Sequence, residues 1–216
     1  MTYIFQPARH ELREQIKRHS SYVRGRVLDV GSGPKPPYRD LFDSTEYVKL
    51  DREGIENITV VGSADTLPVD DASFDALVCT QVLGDVYRLR DAFAEFFRVL
   101  RPGGAALITE AFFDSLHDEP YDYWRFTEFS LRKLAEDAGF RVEVLEKRGG
   151  YFTVRAQMTV RYLIGKHDIY NRWYSRVFSR LSRSYFGLMS WRDRRDKSEI
   201  NARFAHGYLL IARKPE

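Results

Sequence analysis

The sequence predicts an α/β fold: a doubly wound, mostly parallel sheet of seven strands, with a helical insert before the last strand. Three observations predict it. Seven short apolar runs are separated by loop and helix signals, as expected for strands buried on both faces. Helical spacing falls between runs, where parallel strands need crossovers. The first run ends in an acid followed by a tight glycine turn, and further acids stand just past the next two runs.

Taken in order, residues 9–22 read as a helix, with Leu12, Ile16 and His19 on one side and Arg or Glu elsewhere, until Gly25 breaks the pattern. Strands follow at 27–30, 47–50, 58–61, 74–80 and 105–109. Between the last two, Leu89, Phe93, Phe96, Phe97 and Leu100 fall at helical spacing, and Arg101-Pro102-Gly103-Gly104 ends that helix. After a polar segment over 112–126, Thr127 caps a helix whose apolar residues Phe129, Leu131, Leu134 and Ala138 end at Gly139. Val142, Val144 and Leu145 mark a sixth strand, and 208–212 the last.

A chain of 216 residues with 44% hydrophobic content supports one domain with a substantial core, and the reading is a single domain over 1–216. Within it, 1–25 is an N-terminal helical segment and 152–200 a basic aromatic helical insert. Cys79 is the lone cysteine, which excludes an internal disulfide and a Cys-rich metal site and fits a reducing, cytoplasmic setting. The first residues lack the apolar core of a signal peptide, and no uncharged apolar run is long enough to span a bilayer. A membrane would therefore be met from one side, as a peripheral protein.

The net charge of +3 is unevenly placed. Residues 155–197 carry 11 Lys or Arg against 3 Asp, a net +8, which leaves the remainder at −5. Tyr170, Trp173, Tyr174, Val177, Phe178, Leu181, Tyr185 and Leu188 fall at helical spacing in this stretch, with Arg172, Arg176, Arg180 and Arg183 mostly elsewhere on the wheel. Such a helix either covers the acceptor site or makes a homodimer, or else it rests on an anionic membrane or holds an acceptor phosphate.

The strongest local signal is Val27-Leu28-Asp29-Val30-Gly31-Ser32-Gly33-Pro34-Lys35, a strand ending in an acid and then a glycine turn that lets backbone approach a ligand. The next strand ends in Asp51-Arg52, whose acid suits the two hydroxyls of a ribose. Ala64-Asp65-Thr66-Leu67-Pro68 and Ser73-Phe74-Asp75 follow, then Val99-Leu100-Arg101-Pro102-Gly103-Gly104. In combination and in order these segments resemble the class I S-adenosylmethionine-dependent methyltransferases, in particular the small-molecule branch of the ubiquinone and menaquinone methyltransferases. The resemblance runs from about Val27 to Phe140 and implies a Rossmann-like methyltransferase domain with S-adenosylmethionine as cofactor. It implies that Asp29, Gly31 and Gly33 line the methionine part, Asp51 the ribose and Asp65 the adenine amino group, with Ser32, Arg52, Ala64 and Thr66 as further cofactor-binding residues. Gln81 would face the sulfonium and the acceptor.

Two departures stand out. Lys35 replaces a third glycine, and Gly84-Asp85 stands where the family often has an acid followed by histidine. A nicotinamide-binding sheet uses the same turn and ribose acid, but it needs that third glycine to offer a helix N-terminus to a pyrophosphate.

The acceptor side is read in the loop after the fifth strand. His117 is the candidate catalytic base if the acceptor is a hydroxyl, or else an exposed loop histidine. Tyr121, Tyr123, Trp124 and Arg125 are acceptor-side candidates; alternatively Tyr123 and Trp124 pin the loop, and Asp122 with Arg125 forms a structural ion pair. No metal is required. The functional reading is methyl transfer to a small-molecule or lipid-linked acceptor, leaning to O-methylation of a glycan precursor. A nucleic-acid methyltransferase and a catalytically silent cofactor-binding subunit are the alternatives. Against the first, no Asn/Asp-Pro-Pro-aromatic motif follows the fourth strand, where Thr80-Gln81-Val82-Leu83 stands.

Overall fold

The computed structural model describes residues 4–216; the first three residues of the N-terminal segment lie outside the described residues. Backbone contacts divide the chain into two compact units. One comprises 16–112, 116–146 and 207–216, and holds the sheet; the other comprises the N-terminal residues to 15, 113–115 and 147–206, and is helical.

The sheet has seven strands, β1 (Arg24–Val30), β2 (Asp43–Asp51), β3 (Val60–Val61), β4 (Phe74–Thr80), β5 (Leu100–Ala111), β6 (Arg141–Arg148) and β7 (Gly207–Arg213), in the order β3-β2-β1-β4-β5-β7-β6. β1, β2, β3, β4 and β5 pair in parallel, and β7 runs antiparallel to β5. The predicted fold class is therefore the observed one. Val27, Leu28 and the run from Ala76 to Cys79 are buried, which is why β1 and β4 read as continuous apolar sequence.

The element boundaries show what apolar runs miss. β2 begins at Asp43, four residues before the predicted strand, because its polar first half pairs with β1 while β3 reaches only Leu50 and Asp51 on the other side. α2 (Leu89–Val99) buries Ala92, Phe93, Phe96 and Val99. Arg101-Pro102-Gly103-Gly104 does end that helix, but β5 starts at once, and the four residues lie in a register slip between the pairs Phe74–Leu100 and Ala76–Ala105. α3 (Glu128–Asp137) is capped by Thr127, whose hydroxyl accepts from the Ser130 amide while the Ser130 hydroxyl accepts from the Thr127 amide. Leu131 and Ala135 are its buried residues; Phe129, expected on the apolar side, is exposed.

The second unit contains most of α1 (Pro7–His19), α4 (Tyr151–His167), α5 (Ser175–Arg195) and the single turn α6 (Glu199–Ala202). Asp193 and Asn201 accept the free amides at the start of α4: Phe152 and Thr153 donate to Asp193, and Tyr151 to Asn201. The insert is helical, but its apolar face differs from the expected one. Tyr170, Trp173 and Tyr174 precede α5, and its buried residues are Ser175, Ser182, Phe186 and Met189. Phe178 and Tyr185 are partly buried against Val160 and Ile164, whereas Val177, Leu181 and Leu188 are exposed. The partner helix selects which apolar residues face inward, and spacing alone does not carry that choice.

Candidate active site

The site lies at the carboxyl ends of the parallel strands, where a doubly wound sheet leaves a crevice. After β1 the chain turns at Gly31, with φ +69°. A Cβ there would lie 2.3 Å from Val82 Cγ2, so only glycine lets this turn approach the segment after β4. The Gly31 and Ser32 amides donate to the Leu50 carbonyl at 2.8 and 3.2 Å, which ties the turn to β2. Asp51 closes β2. Its carboxylate accepts from the Gly33 amide at 2.9 Å and the Glu53 amide at 3.3 Å, one on each oxygen. Asp65, after β3, accepts from Ser63 and from Arg88 Nε, and the Ser63 hydrogen bond above all holds its carboxyl below the usual range.

Between these groups opens a cleft of about 450 Å³. Of the predicted cofactor residues, Gly31, Asp51, Arg52, Ala64, Asp65 and Gln81 line it, and Asp29, Ser32, Gly33 and Thr66 do not. Asp29 is 4% exposed, beneath the turn, and accepts from the Tyr47 hydroxyl at 2.7 Å; burial pushes its pKa up to about 7. Gln81 has φ +58°, unusual for a residue with a Cβ, and its amide donates to the Thr109 carbonyl at 2.8 Å.

One supporting residue was missed by the sequence reading. Glu110, buried near the end of β5, accepts from the Val82 and Leu83 amides on one oxygen at 3.1 and 2.8 Å. It thereby shapes the segment after β4 that forms one wall of the cleft. Burial pushes its pKa up to about 8. The signal available was an acid interrupting the apolar run Leu107-Ile108-Thr109-Glu110-Ala111.

The loop after β5 supplies the rim. Tyr123 and Trp124 amides donate to the Gly84 carbonyl, and Trp124 Nε1 donates to the Val86 carbonyl at 3.1 Å. Tyr121 and Tyr123 line the cleft; Trp124 and Arg125 do not. Arg125 instead holds the buried Asp122 carboxylate through both of its oxygens, which keeps that carboxyl far below its ordinary range. Asp122 also accepts from the His117 amide at 3.0 Å. Tyr87, on the rim, packs edge-on against Tyr123 with centroids 5.4 Å apart. Arg52 spans the cleft mouth, donating to Asp118 at 2.9 Å and lying 5.2 Å from the Tyr121 ring centroid.

His117 does not line the cleft, but its neighbour Asp85 does. Asp85, His117 and Asp122 bring one ligand atom each within 4.8 Å of one another, with His117 Nδ1 3.5 Å from Asp122. Burial raises the Asp85 pKa. Asp85 Oδ1 and His117 Nδ1 are both buried and have no hydrogen-bond partner among the described residues, as expected where a bound polar group completes the set.

The donor set fits S-adenosylmethionine. Two carboxylates, Asp51 and Asp65, accept from donors such as ribose hydroxyls and an adenine amine, and the volume suits a nucleoside-sized ligand.

Comparison with known proteins agrees. Residues 28–108 match the methyltransferase domain family. Over 144 residues the chain is 34% identical to the ubiquinone/menaquinone biosynthesis C-methyltransferase UbiE of Cronobacter sakazakii, covering 60% of this chain and 56% of that protein. The chain thus spans little more than half the length of that curated relative. Among solved structures, the [4+2]-cyclase SpnF is similar with a TM-score of 0.64 at 18% identity, covering 99% of this chain and 84% of SpnF. Phosphoethanolamine N-methyltransferase 2 of Haemonchus contortus, solved with S-adenosyl-L-methionine, gives 0.57 at 18% identity, covering 96% of this chain and 53% of its own. At such identities the structures show the fold alone. Domain match, sequence relatives and seven-stranded fold together support a class I S-adenosylmethionine-dependent methyltransferase, similar to the ubiquinone/menaquinone methyltransferases, with S-adenosylmethionine as cofactor.

Proposed function

We propose that the chain transfers a methyl group from S-adenosylmethionine to a small-molecule or lipid-linked acceptor, and that the acceptor group is a hydroxyl of a glycan precursor. The observation that carries the proposal is the cleft in which Asp51 and Asp65 stand on one side and the rim of Tyr87, Tyr121 and Tyr123 on the other. The cofactor supplies an activated methyl on a sulfonium, so the protein's work is to align the acceptor and exclude water. Asp51 and Asp65 hold the nucleoside end, and the tyrosines offer faces on which a sugar or aromatic ring stacks.

A hydroxyl acceptor releases a proton as the methyl arrives. His117 receives it through Asp85 on the cleft wall, and Asp122, 3.5 Å from His117 Nδ1, stands ready to pair with the imidazolium that results. This pairing brings a histidine from a different loop to Asp85, which itself stands where the family often has a histidine.

A second reading, C-methylation of a quinone-like acceptor, is favoured by the 34% identity to UbiE. Purified protein incubated with methyl-labelled S-adenosylmethionine and a source-cell lysate separates the readings. Label in a small or organic-soluble product, lost in Asp51→Ala, supports methyl transfer, and the methylated atom identified by NMR decides between oxygen and carbon. Label in RNA or DNA assigns a nucleic-acid acceptor instead. Cofactor binding without any transfer makes the chain a silent subunit; SpnF, named as a cyclase, is a reminder that fold alone does not settle the reaction.

A further inference from the structure

The outward side of α5 is divided lengthwise. With the buried residues Ser175, Ser182, Phe186 and Met189 on one side, a rotation of 100° per residue sets two parallel stripes opposite. One is basic: Arg176, Arg180 and Arg183 line, with Ser179 and Ser184, an open groove of about 430 Å³ to which no acidic side chain contributes. The other is apolar: Val177, Leu181 and Leu188 are 54%, 64% and 49% exposed. Trp173, just ahead of the helix, is 91% exposed. Leaving these side chains in water costs hydrophobic free energy that a monomer's surface helix ordinarily avoids.

We propose that this face of α5 docks on an anionic phospholipid surface. The apolar stripe and Trp173 enter the boundary between headgroups and acyl chains, and the arginine stripe takes lipid phosphates. Charge selects this occupant. A second copy of the chain meeting the face by two-fold symmetry would set each arginine column against the other's arginines or against its apolar stripe, with no acid lining the groove to neutralise it. An uncharged surface would leave the arginines unanswered. No helix among the described residues is long and apolar enough to cross a membrane, so the contact lies on one leaflet. The inference stands on α5 alone and does not depend on methyl transfer.

Flotation of the full chain with vesicles tests it. The protein is expected to float with equal parts phosphatidylcholine and phosphatidylglycerol, not with phosphatidylcholine alone, and to be released by salt. Two triple variants, both on exposed positions, separate the stripes: R176Q/R180Q/R183Q is expected to lower partition by on the order of a hundredfold, and V177S/L181S/L188S to lower it at unchanged charge. Circular dichroism checks that both variants stay helical. Absence of flotation with anionic vesicles at low salt would overturn the proposal. So would flotation that both variants retain, RNA binding in place of vesicle binding, or a dimer in solution that V177S/L181S/L188S dissociates.

Discussion

The sheet unit buries two acids near its strand ends, and the helical unit displays a row of arginines along α5. In the first, Asp29 and Glu110 are buried near the carboxyl ends of β1 and β5, and burial pushes their pKa values up to about 7 and about 8. In the second, the arginines of α5 face outward, while buried His206 is pushed down to about 3, mainly by burial and secondarily by Arg148. Desolvation disfavours the charged form in both units and moves acid and base in opposite directions. Glu110 braces the cleft wall through the Val82 and Leu83 amides, and the displayed arginines of α5 are the ones proposed to meet an anionic surface. Substitutions in one unit should therefore leave the other unit's property intact.

The largest effect is expected at Glu110. Glu110→Ala strands the half-buried Val82 and buried Leu83 amides, costing about 4 kcal/mol and lowering the thermal midpoint by roughly 10 °C. Glu110→Gln keeps an acceptor and should lose less than half of that, and vesicle flotation should be unchanged in both. A pH series follows. Asp29 and Glu110 hold their protons more tightly folded than unfolded, so their contribution is fully present below the ordinary carboxylate range and is lost as pH rises through about 7 and 8. His206 has the opposite sign: stability is lost as pH falls from 6.5 toward about 3. Between pH 5 and 9 the unfolding free energy should fall by on the order of 7 kcal/mol, and Glu110→Gln should remove the larger part of that fall while leaving the acid limb alone.

Asp51→Ala should weaken S-adenosylmethionine by roughly thirtyfold, about 2 kcal/mol, since a charged acceptor for the ribose is removed. Arg52→Ala gives the smallest change, within about threefold in cofactor affinity, because its ion pair with Asp118 and its contact with Tyr121 are both solvent-exposed. A larger loss would mean that Arg52 holds the cleft shut over its ligand.

Much of this site was legible in the chain. Asp51 and Asp65 sit just past short apolar runs, where a parallel sheet delivers its strand ends to one edge, and Gly31 announces the close approach that Val82 confirms. Glu110 was not legible, because an acid near a strand end reads as solvated until both faces of the sheet are known to be covered. The meeting of Asp85 with His117 joins two loops far apart in sequence, and no local spacing encodes it. On α5 the periodicity was right and the phase was not. Val177, Leu181 and Leu188 are as apolar as the residues that face α4, and only packing of Phe186 and Met189 tells the two sides apart.

The most direct test is calorimetric titration of S-adenosylmethionine into the full chain and into Asp51→Ala and Asp51→Asn. Saturable binding at one site, weakened by both substitutions with folding intact by circular dichroism, is the predicted result. Absence of binding to the folded wild-type chain, or binding that neither substitution changes, would contradict the assignment of the cleft.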